Sequence, residues 1–173
     1  MRAKVLLLCA AAVLAAGCDY TVPLVTTPNT AIDMSLVGLW EQQDVTGTPP
    51  RLLVLPLGRY EHLVVYPVGS DNAMFARACL WQGDGAPLVQ LDWFGTGKGK
   101  TPDDARTYQY AAWTLATNTL TVSLLDPQVV SGSIASSNAL AQAVLANGGN
   151  PAGFRAPMRF RGLERDRAPS ANR

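Results

Sequence analysis

Histidine is nearly missing from this chain: His62 is the only one among 173 residues. A Ser–His–Asp or Cys–His centre would have to use it, because general-base work near neutral pH favours imidazole. It falls in a predicted strand with Tyr60, Val64 and Tyr66 on its own face. Glu61 points to the other side, since strand side chains alternate. No nucleophile elbow accompanies it, as Ser131-Gly132-Ser133 does not fit Gly-x-Ser-x-Gly. His62 therefore reads as a structural or surface residue, and no enzymatic activity is expected.

Cysteine is scarce as well, with three in the chain. Cys9 and Cys18 lie in the leading segment, so Cys79 has no partner for an intramolecular bridge. One His and one free Cys cannot build a zinc site, and Asp84, Asp103 and Asp104 lack the regular spacing of a calcium loop. Neither a metal nor a cofactor is expected. Cys79 shares a strand face with Phe75, Arg77 and Trp81. It reads as a small buried apolar group, with a thiolate favoured by Arg77 as the alternative.

An excess of one charge is also lacking. Lys and Arg number 14 against 13 Asp and Glu, for a net charge of +1. Nucleic acid is not an expected partner, because nothing is left over to track a phosphate backbone.

Long apolar runs are absent but for one. Arg2 and Lys4 precede an uncharged, mostly apolar stretch from Val5 to Gly17. It is short of the roughly 20 residues needed to cross a bilayer, and it has the layout of a secretory signal. Its end, Leu14-Ala15-Ala16-Gly17-Cys18, resembles the lipobox of bacterial lipoproteins, although Ala15 stands where Leu is commonest. The resemblance implies cleavage before Cys18 and acylation of its thiol and new amine. It further implies a chain held at a membrane of the bacterial cell envelope, facing the periplasm. Asp19 resembles the signal that retains such proteins in the inner membrane of enteric bacteria. On this reading residues 1–17 are a signal peptide and 18–35 a lipidated cysteine with a flexible tether, rich in Thr, Pro and Val. Residues 36–164 form one domain and 165–173 a disordered tail.

What the domain does have is short strands separated by turn residues. They are predicted at Gly38–Asp44, Arg51–Pro56, Arg59–Pro67, Ala73–Gln82, Pro87–Phe94, near Thr107–Ala116, Thr119–Leu125 and Met158–Glu164. Leu120, Val122 and Leu124 alternate with Thr119, Thr121 and Ser123, the mark of a sheet with one face in a core. Short connections make the neighbours antiparallel. One helix is predicted, capped by Ser136 or Ser137, carrying Leu140, Ala141, Val144 and Leu145, and ended by Gly148-Gly149. It would plug the sheet's open end or cover one face. The fold class is all-β: an antiparallel meander of seven or eight strands, closed as a barrel or strongly curved, with one short helix before the last strand.

Gly38-Leu39-Trp40 resembles the Gly-x-Trp signature of lipocalins and the wider lipocalin-like group. The layout over 36–164 is also similar to that of small uncharacterised bacterial lipoproteins, with a Leu52–Pro56 strand, a Tyr60…Tyr66-Pro67 strand and an Arg-rich closing strand. The resemblance implies that Gly38 and Trp40 close one end of the barrel, with Arg159 or Arg161 over the indole ring. Such a cation–π contact is worth about 0.5–2 kcal/mol.

Two stretches invite sharper readings. Gly95–Thr101 looks like a phosphate-binding loop, but the spacing puts Phe94 where the first glycine belongs, so it reads as a solvated loop. Tyr108 and Tyr110 share a face opposite Trp113 and Leu115. That strand is apolar on both sides, and Tyr108, Tyr110 and Trp113 are candidates for a ligand or partner surface, or for core beneath the helix. The leading expectation is a non-enzymatic, membrane-anchored envelope lipoprotein that acts as an interaction module toward another envelope protein. The alternative is a carrier of a small hydrophobic ligand within the barrel.

Overall fold

The computed structural model describes residues 19–83, 87–99, 106–147 and 150–163. Eight strands run in chain order as β1 (Gly38–Gln42), β2 (Arg51–Pro56), β3 (His62–Tyr66), β4 (Met74–Trp81), β5 (Leu88–Thr96), β6 (Tyr108–Ala116), β7 (Thr119–Leu124) and β8 (Met158–Gly162). Each pairs antiparallel with its sequence neighbour, and β8 pairs with β1, so the sheet is a closed eight-stranded meander barrel. Closure leaves no edge strand open to a foreign chain. The fold class expected from the sequence is the one observed, with most strand ends trimmed by a residue or a few and β5 running on to Thr96. Helix α1 (Ser137–Asn147), the one α-helix among the described residues, precedes β8, and Ser136 Oγ accepts the Ala139 amide at 3.2 Å as its cap.

Alternation divides the strand residues between two cores. Inside the barrel, Trp40, Leu52, Val54, Val64, Ala76, Ala78, Leu91, Trp93, Leu120 and Phe160 pack together. Leu36 joins them from the short 3-10 turn Met34–Leu36 at one end. Trp40 is 1% exposed, and its Nε1 donates to the Leu36 carbonyl at 2.9 Å. The second core lies on the outer face of β5 and β6. There Leu88 and Tyr110 meet Leu125, Val130, and Leu140 and Val144 of α1. Of the two expected placements for the helix, it takes the cover over one face.

The register at the closing seam corrects the expected arginine contact. Trp40 lies opposite Gly162, while Glu41 lies opposite Arg161. Residues directly opposite share a face, so Arg159 and Arg161 point outward while Trp40 points in. Arg161 sits 3.8 Å from Glu41 and Arg159 3.7 Å from Asp44, both as exposed ion pairs. Gly162 is what fits over the Trp40 ring: a Cβ there would stand 3.4 Å from the indole and 2.4 Å from Asn118 Oδ1.

The segment expected to be a loose tether is instead a strap laid on the barrel. Tyr20 forms an antiparallel bridge with Tyr108, on the side of β6 where β7 has already ended. Its ring is fully buried, and its hydroxyl donates to the Val130 carbonyl at 2.9 Å. Tyr110 donates its hydroxyl proton to the Val22 carbonyl. Buried Gln90 holds the next turn, with Oε1 accepting the Leu24 and Val25 amides at 2.7 and 2.8 Å and Nε2 donating to the Val25 carbonyl at 2.9 Å. Farther on, the Ile32 amide reaches the Arg59 carbonyl at 3.1 Å, and the strap ends in the Leu36 turn.

Candidate functional site inside the barrel

Two spaces of about 100 Å³ each remain among the inward side chains. One is bounded toward the Leu36 end by Val54, His62, Ala78, Trp113 and Leu120. The other is bounded by Tyr66, Met74, Trp93, Met158 and Phe160, and by Arg155 at the opposite end. Both are lined by Leu52, Val64, Leu91 and Val122, so they follow one another along the barrel axis. Small inward residues make room in the space near His62: Ala78 and Ala111 line it where neighbouring positions carry Val, Leu or Trp. The lining is apolar but for a few groups near the ends.

Most of those groups are paired; the buried Trp113 Nε1, beside the space near His62, has no hydrogen-bond partner among the described residues. Tyr66 donates its hydroxyl proton to Gln42 Oε1 at 2.6 Å. At the Arg155 end, Trp93 Nε1 donates to Gln109 Oε1 at 3.0 Å, and Gln109 Nε2 donates to Asp19 Oδ2 at 3.3 Å. Arg155 Nη2 donates to the other carboxylate oxygen, Asp19 Oδ1, at 2.9 Å. A chain of hydrogen bonds thus runs from an interior indole through the wall to the strap. The Asp19 side chain is 12% exposed and that of Arg155 30%. At the other end His62 is 4% exposed, its Nε2 lies 3.2 Å from the Asp33 carbonyl, and burial lowers its pKa.

The other expected site residues fall as follows. Cys18 lies outside the described residues. Tyr110 and Tyr108 are on the outer face; Tyr110 is fully buried beneath the chain's own strap, while Tyr108 is half-buried and lines a space between the strap and the barrel wall. Trp113 is on the opposite, inner face and lines the space near His62. Cys79 is buried, and burial, with the carboxylates of Glu61 and Asp92, pushes its thiol up to about 11. The alternative of a thiolate favoured by Arg77 is thereby corrected. Gly95–Gly99 ends β5 in a turn, with the Gly99 amide on the Thr96 carbonyl at 2.9 Å; residues 100–105 lie outside the described ones.

A third space, of about 360 Å³, lies outside the barrel between strap residues 23–28 and the outward side chains Glu61, Arg77, Cys79 and Asp92. Among the described residues no three His, Cys, Asp or Glu side chains come together to hold a metal, and no helix is long and apolar enough to cross a membrane.

Sequence reasoning missed Asp19, Gln109 and Arg155 as neighbours, as well as the strap that joins them. A signal was there: Tyr20, Val22 and Leu24 alternate with Thr21 and Pro23 at the strand period. Fold and site define a closed up-and-down barrel with an apolar interior. Compared with protein-family models, with curated proteins and with solved structures, the chain finds no match in any of the three.

Proposed function

We propose that this protein is a non-enzymatic carrier that holds a small hydrophobic ligand in a lipocalin-like barrel. The observation that carries the reading is the pair of apolar spaces between His62 and Arg155, end to end among the inward side chains of the barrel. Eight-stranded barrels are at the size where the interior is either just filled or holds one small ligand. Here it is not filled. An engineered apolar cavity of about 150 Å³ takes up benzene, so two spaces of about 100 Å³ in line suit a ligand of modest size with a narrow body. The interaction-module reading loses its strongest support, because the aromatic face of β6 is covered by residues 20–24 of the same chain.

The reading includes a lipid anchor at Cys18 in the cell envelope, supported by the lipobox resemblance. Native mass spectrometry of the full chain recovered from the envelope tests both parts. The expected result is a Cys18 peptide heavier by its acyl groups, and a separate small mass released on denaturation. A bare chain that also takes up no added apolar ligand contradicts the carrier. An unmodified Cys18 contradicts the anchor alone.

A further inference from the structure

The Arg155 end of the interior has a feature that an empty apolar barrel does not need. Arg155 and Gln109 both line the inner space, and both point their donors at one carboxylate, that of Asp19. A largely buried guanidinium must be paired, since an uncompensated buried charge costs several kcal/mol. The partner chosen is unusual in its attachment. Gln109 belongs to β6, and the Arg155 amide is fixed to the Leu124 carbonyl at 2.8 Å beside the barrel wall. Asp19 belongs to the strap, where its amide is held by the Tyr108 carbonyl at 3.1 Å, so it can leave by giving up that bond without opening a strand.

We infer that Arg155 and Gln109 form an anion site kept closed by the chain's own carboxylate. On this inference, which rests on the carrier reading, the ligand is a single-chain amphiphile with a carboxylate head. The head replaces Asp19 on Arg155 Nη2 and Gln109 Nε2. Its tail runs between Tyr66, Met74, Trp93 and Phe160 into the deeper space beside Trp113. The exchange swaps one carboxylate for another, so the guanidinium stays paired in both states and Asp19 is released to water, where a carboxylate is well solvated. A neutral ligand gains nothing at Arg155 and leaves the strap in place. Two spaces of about 100 Å³ in line have room for one acyl chain and not for the paired chains of a phospholipid. Tyr20, buried with its hydroxyl on Val130, keeps the rest of the strap seated while Asp19 swings out. Asp19 is thus a tethered competitor, acting at the millimolar effective concentrations usual for short links.

The test compares decanoate with 1-decanol at pH 8, using the full chain and the fluorescence of Trp93, whose indole is bonded to Gln109. Asp19→Asn is expected to tighten decanoate about tenfold and to leave decanol within about twofold, the size of one charge-assisted bond no longer contested. Arg155→Met placed on top of Asp19→Asn should abolish that gain. The wild-type chain gives an independent readout free of folding effects. Decanoate should speed amide exchange at Asp19 and leave Tyr20 protected, whereas decanol should change neither. A decanoate-to-decanol affinity ratio unchanged by Asp19→Asn overturns the inference, as does equal strap exchange with both ligands. In either case decanol uptake leaves the carrier standing. If neither compound binds, both readings fall.

Discussion

Individual residues carry the clearest chemical consequences. Cys79 is a buried thiol whose pKa is raised to about 11 by burial and then by the nearby Glu61 and Asp92 carboxylates. At pH 8 it is almost wholly protonated and shielded, and thiols react through the thiolate. A disulfide-exchange reagent should therefore label native Cys79 at least about a hundredfold more slowly than it labels the urea-unfolded chain. Equal rates would place the thiol in the open. His62 gives a stability signature of definite sign. Burial lowers its pKa, so the unfolded chain binds a proton that the folded chain resists. The stabilisation is fully present above the unfolded value near 6.5 and is lost as pH falls through the folded value. The midpoint of thermal unfolding should fall between pH 8 and pH 5, and His62→Gln should flatten that fall. An unchanged slope in the variant would show that other groups govern it.

At the scale of elements, the strap and its clasp decide how the barrel is finished. Gln90 is a polar residue on an otherwise covered outer face, and it makes three hydrogen bonds to the backbone of Leu24 and Val25. Gln90→Leu removes all three and should cost about 1–3 kcal/mol, measured as a lower urea midpoint. Amide exchange should rise at Leu24 and Val25 while the strands keep their protection. Tyr20→Ala removes a fully buried ring packed edge-on against Tyr110 at 5.0 Å between centroids, and about 3–5 kcal/mol is expected. The strands themselves were legible because period-2 alternation and turn residues are local signals, and the capped helix was legible for the same reason. The strap was not. Its alternation is interrupted by Pro23 and followed by Thr26-Thr27-Pro28, which reads as tether when its partner, Gln90, is 65 residues away. The closing arginines failed for a related reason. Which face a residue takes depends on the β1–β8 register, and one step of register moves Arg161 from the ring of Trp40 to the carboxylate of Glu41.

For the whole molecule, the account joins a closed barrel, an unfilled interior and a strap whose Asp19 sits at the cavity's polar rim. The barrel was readable from the order of the elements. The interior space was not, because it depends on Ala78 and Ala111 lining one space from strands that are far apart in sequence. The central claim is that ligand enters this space. Val122 lines both halves and projects from β7 into their junction, which makes it the place to fill. The most direct measurement is decanol uptake by the full chain carrying Val122→Phe, followed by calorimetric titration beside a thermal melt. The account predicts that uptake falls at least about tenfold, a loss of about 1.4 kcal/mol of binding. The melting midpoint should stay near the wild-type value, because the added ring occupies existing space. Undiminished uptake by a folded Val122→Phe variant would contradict the account and move the ligand out of the barrel, toward the space beneath the strap beside Arg77 and Asp92.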